Sequence, residues 1–333
     1  MILALETSCD DTCAAVVTRD GEVLANIRSS QDELHASFGG VVPEIASRRH
    51  LELVVPVVES ALAEAGATLG DISALAVTQG PGLIGALLVG LSAGKALAYA
   101  RGLPLVPVDH LLGHVAALRL APLGLEPPFA CLLASGGHTL VLDVADYTAP
   151  RRLGGTRDDA AGEAFDKGAR LLGLSEAGGA ELERIARAGD PERFPFPRVL
   201  RGQDGHDLSF SGLKTALLRR VRELGDGLAE ARADLAASYQ AAIVRQLAER
   251  AEAALDATDR TTLAVVGGVA ANGALRAALA DACARRGARL CLLPPALCVD
   301  NAAMIGAAAF AARPLEPGEY LALDAYARSP LAG

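Results

Sequence analysis

The chain opens with the apolar run MILALE, and AAVVT follows after the polar interval TSCDDTC. GEVLANI comes next, behind an Asp20-Gly21 pair. Short apolar runs parted by Ser/Thr/Asp and Asp-Gly intervals predict three strands joined by turns, the skeleton of a β-meander. Residues 50–65 (HLELVVPVVESALAEA) place apolar side chains at helical spacing, ISALAVTQG reads as a further strand, and 83–101 as a buried helix of small residues. The order then restarts. PFACLLASGGHTLVLDVAD gives two strands about a polar-glycine turn, followed by helical stretches at 159–173, 179–188, 212–224 and 232–255. LAVVGGVAANGALRAALADACARR reads as strand, glycine turn and helix, and ARLCLLP as a closing strand. Two halves that each open with a hairpin predict a duplicated α/β fold with a cleft between the halves. The proline-rich stretch near 105–128 marks the expected boundary, giving domains 1–107 and 108–333, with the last helix able to pack back on the first.

Length agrees with this division, because 333 residues exceed one comfortable core. Hydrophobic residues make up 51 % and charged ones 21 %, a soluble globular balance. No apolar stretch of membrane-spanning length runs uninterrupted; 81–100 carries several glycines and Lys95, so no membrane partner is expected. The N-terminus lacks a basic start and meets Glu6 before a secretory core forms, so a cytoplasmic location is expected. Six scattered cysteines with no CxxC pair read as free, mostly buried thiols. A net charge of −9 argues against broad nucleic-acid binding and leaves room for a local basic patch or a basic partner.

Several short stretches carry chemistry. ETSCDDT puts Ser8, Asp10, Asp11 and Thr12 at a turn, suited to a phosphate-bound metal or to orienting a nucleophile; an ordinary Asx-type turn is the alternative. ASGGHT repeats that layout in the second half, with glycines that open backbone N–H groups to an anion. GGVAAN brings Asn272 to a helix start, as a nucleotide contact or simply an N-cap. In DDAAGEAFDKGARLLGL an Asp caps a helix, Glu163 and Lys167 form an i,i+4 pair, and Asp166 either faces solvent or accepts ribose hydroxyls. Lys214 in SFSGLKTA sits one turn into a helix. HASFGGVVPEIASRRHLE, with His35, Glu44, Arg48, Arg49 and His50, reads as a structured loop facing a partner or substrate. His110 and His114 in DHLLGH share a helix face. Asp300 in VDNAAMIG is either a helix cap or a third, oxygen ligand to a metal held by those two histidines.

Taken together and in order, ETSCDDT, HASFGGVVPEIASR, TQGPGLIGALLVG, HLLGH, SGGHT, DDAAGEAFDKGARLLGL, SFSGLKTA, GGVAAN and DNAAMIG resemble the universal tRNA N6-adenosine threonylcarbamoyltransferase family, once described as O-sialoglycoprotein endopeptidases. The resemblance spans about residues 2 to 310. It implies the actin, sugar kinase and Hsp70 fold, with two ribonuclease-H-like lobes around a nucleotide cleft. It also implies transfer of a threonylcarbamoyl group from threonylcarbamoyl-adenylate to N6 of adenosine 37 in tRNAs reading codons that begin with A, with AMP leaving. By the same resemblance His110, His114 and Asp300 hold one divalent metal ion, Fe2+ or Zn2+, with Mg2+ an option alongside nucleotide. Leu133, Ala134, Ser135, Gly136, Gly137, Asp166, Gly179, Glu183 and Asn272 bind the adenylate, and Asp10 and Asp11 act near the reacting group. The implied partners are tRNA and, in a bacterium, a paralogous non-catalytic subunit and a small ATPase.

Two departures stand out. The family's Tyr-Pro-Gly-Gly-Pro run is here Glu176-Ala177-Gly178-Gly179-Ala180, which keeps both glycines, and Leu112 stands where the family has a glutamate. Among rival readings, a metallopeptidase needs a base after the first histidine, where Leu111 stands. A sugar kinase gives the histidine pair no purpose, and a non-catalytic nucleotide-binding scaffold needs no open metal site.

Overall fold

In the computed structural model, which describes all residues except 37, 39, 175–177, 201–204 and 333, the chain forms two compact units. The first begins with β1 (Ile2–Glu6), β2 (Thr12–Val17) and β3 (Val23–Ser29), then the short α1 (Asp32–Ala36) and long α2 (Pro43–Glu64). It continues through β4 (Ala74–Gly80), α3 (Ile84–Arg101), β5 (Leu105–Asp109) and α4 (His110–Ala116). The second unit holds β6 (Phe129–Ala134), β7 (Thr139–Val144), β8 (Arg151–Gly155), α5 (Ala161–Leu171), α6 (Gly178–Ala186) and α7 (Ser211–Leu224). Then follow α8 (Leu228–Thr258), β9 (Thr262–Val266), α9 (Gly273–Arg286), β10 (Arg289–Leu292) and α10 (Pro295–Cys298). The chain returns to the first unit for α11 (Ala302–Ala309) and α12 (Pro317–Tyr320).

The strand orders expose the duplication. The first sheet runs β3-β2-β1-β4-β5 and the second β8-β7-β6-β9-β10, with the same pattern of antiparallel and parallel neighbours. In each, a hairpin fills one side and parallel crossover strands the other. β1, β2, β6 and β7 are buried along their whole length, as strands covered on both faces are. Leu3, Leu5, Val16, Leu75, Val77 and Leu91 anchor the first core.

The limits of the two units follow from contact in space. The first comprises Met1–Pro127, Asp146–Ala149 and Val299–Gly333, because β5 leads straight into α4 and α11 packs on β1, β2 and α4. Two strands had no counterpart in the sequence reading, β5 and β8. The Asp cap expected for α5 falls elsewhere. Ala160 occupies that N-cap, while Asp158 accepts the backbone N–H groups of Phe210 and Ser211 at 2.7 and 3.1 Å, at the start of α7. Lys167 bonds both Glu163 and Asp159, and Asp159 also holds Lys214. All six cysteines are free and five are buried, as expected. No helix among the described residues is long and apolar enough to cross a membrane.

Candidate metal centre and nucleotide pocket

Both histidines lie on α4, whose first turn is fixed by its own N-cap. Asp109 Oδ1 accepts from the N–H groups of Leu111 and Leu112 at 2.8 and 3.3 Å. Leu111 is fully buried, so the turn between the histidines is anchored in the core. Gly113 lets α11 close onto α4, since a Cβ there would stand 2.8 Å from Ile305 Cδ1. That approach brings Asp300, just before α11, to the histidines. His110 Nε2 and His114 Nε2 lie 3.6 and 3.3 Å from the same Asp300 oxygen, Oδ1. The N-cap of α11 is Asn301, which accepts from Met304 N at 3.0 Å. Asp300 is thereby released from capping.

The donors fit a metal. Their ligand atoms all lie within 4.8 Å of one another. Ligands held at about 2.1 Å from a zinc-like ion sit roughly 3–3.5 Å apart, close to the spacing here. His114 is fully buried, and neither ring nitrogen makes a hydrogen bond among the described residues. That is costly for a buried imidazole unless Nε2 serves as a ligand. His110 Nδ1 is held by Glu6 Oε2 at 3.0 Å and by Ser8 Oγ at 3.2 Å, which fixes the ring with Nε2 on the Asp300 side. Glu6 is itself tied by Thr78 Oγ1 and Ser8 N. Burial works against an imidazolium at His110, but the Glu6 and Asp300 carboxylates outweigh it and raise its pKa to about 9. Burial likewise opposes charge on Asp300, and the two histidines overcome it, holding that carboxyl well below the usual range.

The β1–β2 turn carries Asp10 and Asp11. His50 of α2 spans it, with Nδ1 on Thr12 Oγ1 at 2.8 Å and Nε2 donating to Cys9 O at 3.0 Å. Arg28 of β3 donates to Asp11 Oδ2 at 2.7 Å, while buried Oδ1 accepts from no group among the described residues. Burial lifts the Asp11 pKa to about 6 despite Arg28.

In the second unit a cavity of about 290 Å³ is lined by Gly136, Gly162, Phe165, Asp166, Gly179, Ala180, Glu183, Gly268, Val269, Ala271 and Asn272. It brings together five of the expected adenylate residues, Gly136, Asp166, Gly179, Glu183 and Asn272. Leu133 and Ala134 are buried within β6, Ser135 closes the β6–β7 turn through His138, Gly137 is exposed, and none of these four lines the cavity. Asn272 is committed: it caps α9 through Leu275 N at 2.9 Å and donates to Gln240 at 2.9 Å. Glu183 accepts from Gly273 N at 3.1 Å, and Asp166 from Gly179 N at 2.9 Å. Of the departing loop, Glu176 and Ala177 lie outside the described residues.

The profile of the tRNA N6-adenosine threonylcarbamoyltransferase family matches residues 22–307. The proteins of that name from Symbiobacterium thermophilum and Moorella thermoacetica are each 52 % identical to this chain, over 93 % of it and 91 % of their own length. The chain belongs to this family. Component A of (R)-2-hydroxyglutaryl-CoA dehydratase from Acidaminococcus fermentans shares the fold alone, with a TM-score of 0.54, 15 % identity and coverage of 93 % of this chain and 96 % of that one.

As a threonylcarbamoyltransferase family member the chain has the two-unit actin, sugar kinase and Hsp70-like fold expected from its repeated hairpins, and it is a transferase. The peptidase and kinase readings fall with that membership. Three residues of this family member escaped the sequence reading, Glu6, Asp109 and Asn301, and Asp158 was read as the cap of α5 rather than of α7. Glu6 had a signal, a lone charge ending an apolar strand. Asp109 and Asn301 each precede a helix as good caps do, and only the three-dimensional pairing shows which neighbouring acid is thereby left free.

Proposed function

We propose that the chain transfers the threonylcarbamoyl group of threonylcarbamoyl-adenylate to N6 of adenosine 37 in tRNAs reading codons that begin with A. The observation that carries this reading is the pair of buried imidazoles turned on Asp300, at 3.6 and 3.3 Å, in a chain of this family. His110, His114 and Asp300 would hold one divalent ion, Fe2+ or Zn2+. When bound, the ion supplies Lewis-acid stabilisation of negative charge on phosphate or carbamoyl oxygens. Mg2+ accompanies the nucleotide at most.

The donor is a mixed anhydride, already activated, so the protein needs no covalent nucleophile. The N6 amine attacks the carbamoyl carbon, the bond from that carbon to the phosphate oxygen breaks, and AMP leaves with the electron pair. The amine's proton passes to Asp11, whose Oδ1 is the open acceptor and whose pKa of about 6 leaves it ionised at neutral pH. Asp10 orients the reacting group beside it. His50 and Arg28 hold that turn in place. Gly136, Asp166 and Gly179 receive the adenylate in the second unit, with Leu133, Ala134, Ser135 and Gly137 shaping the turn that presents Gly136. Glu183 and Asn272 act by fixing the start of α9.

An acidic chain handling tRNA works with partners, here a paralogous subunit of similar fold and a small ATPase, in the cytoplasm. The exposed apolar side chains Leu51 and Val55 of α2, 66 % and 59 % accessible, with Ile84 and Leu88 of the adjoining α3, are the face offered to the paralogue. The deciding experiment incubates the chain and its partner subunits with threonylcarbamoyl-adenylate and unmodified tRNA, then searches digested nucleosides by mass spectrometry. Modified adenosine is expected. Its absence under conditions where the Moorella relative forms it would sink the proposal.

A further inference from the structure

Asp109 does more than cap the metal-bearing helix. Its second oxygen, Oδ2, accepts two hydroxyl hydrogen bonds, from Tyr326 at 2.9 Å and Ser329 at 2.7 Å. Both donors belong to the C-terminal segment, beyond residue 307 where the family profile ends. That segment is fastened at several points before it reaches Asp109. Leu315 bridges to Leu105 through both backbone groups, at 3.0 and 2.8 Å. Lys95 Nζ of α3 donates to Leu321 O and Leu323 O, and Gln79 Nε2 donates to Asp324 O at 2.8 Å. Tyr326 N then bonds Gln79 O at 3.2 Å. Tyr326 lies so close to the end of β4 that a Cβ on Gly80 would stand 2.2 Å from its carbonyl oxygen. Close approach here requires glycine.

We infer that residues 324–329 form a strap whose Tyr326 and Ser329 hydroxyls position Asp109, and through it the register of His110 and His114 toward a divalent metal. The inference rests on the metal reading given above. Its physical basis is the division of one carboxylate between two tasks. Oδ1 fixes the first turn of α4, and Oδ2 fixes the carboxylate, so helix and strap move together. Ser329 is buried, and burial beside Asp109 pushes the Tyr326 phenol well up, so both groups stay donors across the working pH range. A capping carboxylate with no partners on its far oxygen can rotate away. With two, its rotamer is locked, and so is the direction in which His110 leaves the helix. Tyr326 and Ser329 are therefore positioning residues.

The test uses the full chain and Zn2+ as the probe, with affinity measured by competition against a chromogenic chelator and the thermal midpoint measured on the metal-free protein. The double variant Tyr326→Phe/Ser329→Ala is expected to bind zinc about tenfold more weakly, because a cap free to rotate no longer fixes the helix that carries both histidines, with the metal-free midpoint changed by only a few degrees. Ser329→Thr, which keeps the hydroxyl, is expected to bind like wild type. A folded double variant with wild-type zinc affinity would overturn the strap. Should the double variant not fold, Tyr326→Phe and Ser329→Ala are measured singly, and unchanged affinity in both has the same meaning. Wild-type protein that takes up no zinc would instead overturn the metal reading, so the two failures are distinguishable.

Discussion

Asp11 and Asp300 are both shielded carboxylates with cationic neighbours, yet their pKa values move in opposite directions. Burial dominates at Asp11, where the single arginine is partly exposed and Oδ1 is left open. Two imidazoles dominate at Asp300. The raised value at Asp11 has a definite stability consequence. A carboxylate with a folded pKa of about 6, above its unfolded value of 3.8, contributes stability below pH 4 that is lost as pH rises toward 6. Asp11→Asn should remove that loss, gaining up to about 3 kcal/mol relative to wild type above pH 6, as read from urea midpoints at pH 4.5 and 7. The same variant should transfer threonylcarbamoyl roughly 10²–10⁴-fold more slowly in single-turnover assays, and wild-type transfer should fall off below about pH 6. Glu6→Gln should weaken zinc binding by about 10–100-fold in the same chelator competition, because the Nδ1 proton of His110 loses its charged acceptor. At this scale motif order in the sequence pointed to the candidate trio His110, His114 and Asp300, which the structure brings together. The sequence left Asp300 open between ligand and cap, and that choice turns on Asn301 taking the α11 cap, a hydrogen bond no spacing rule reveals.

The helices are held by residues that the pattern of apolar positions ignores. Asp109, Asn272 and Asn301 cap the helices they precede, whereas Asp158 serves α7 across a long loop, with Ser209 and Ser211 hydroxyls adding to the backbone contacts. Asn301→Ala should cost about 1 kcal/mol in urea unfolding and also weaken zinc binding, since Asp300 becomes the nearest substitute cap and is drawn from the histidines. Equal zinc affinity in that variant would separate capping from ligation. The helices were legible because their periodicity is long and regular. β5 and β8 were not, and the reason is their composition. Each lies at the end of its sheet, where LVPVD tolerates Pro107 and RRLGG tolerates paired arginines and glycines. The edge strands β3 and β10, which carry no such residues in their apolar runs, were readable.

For the molecule as a whole, duplication was legible because two hairpins recur. Contact in space assigns 299–333 to the first unit, and only the packing of α11 on β1, β2 and α4 explains that return. The exposed apolar face of α2 belongs to this scale too. Leu51→Asp/Val55→Asp should abolish co-elution with the paralogous partner in size-exclusion chromatography and leave zinc binding by the isolated chain unchanged. The two sheets also share a bend. β1–β2 opens after the Glu6–Cys13 pair and β6–β7 after Ala134–Thr139, at matching places in matching topologies. One copy spells the bend with acids, Asp10 and Asp11, and the other with glycines, Gly136 and Gly137. The same corner of the topology is thus acidic in one unit and uncharged, with open backbone, in the other. A substitution at either corner therefore alters the charge of one unit's turn and leaves the matching turn of the other as it was.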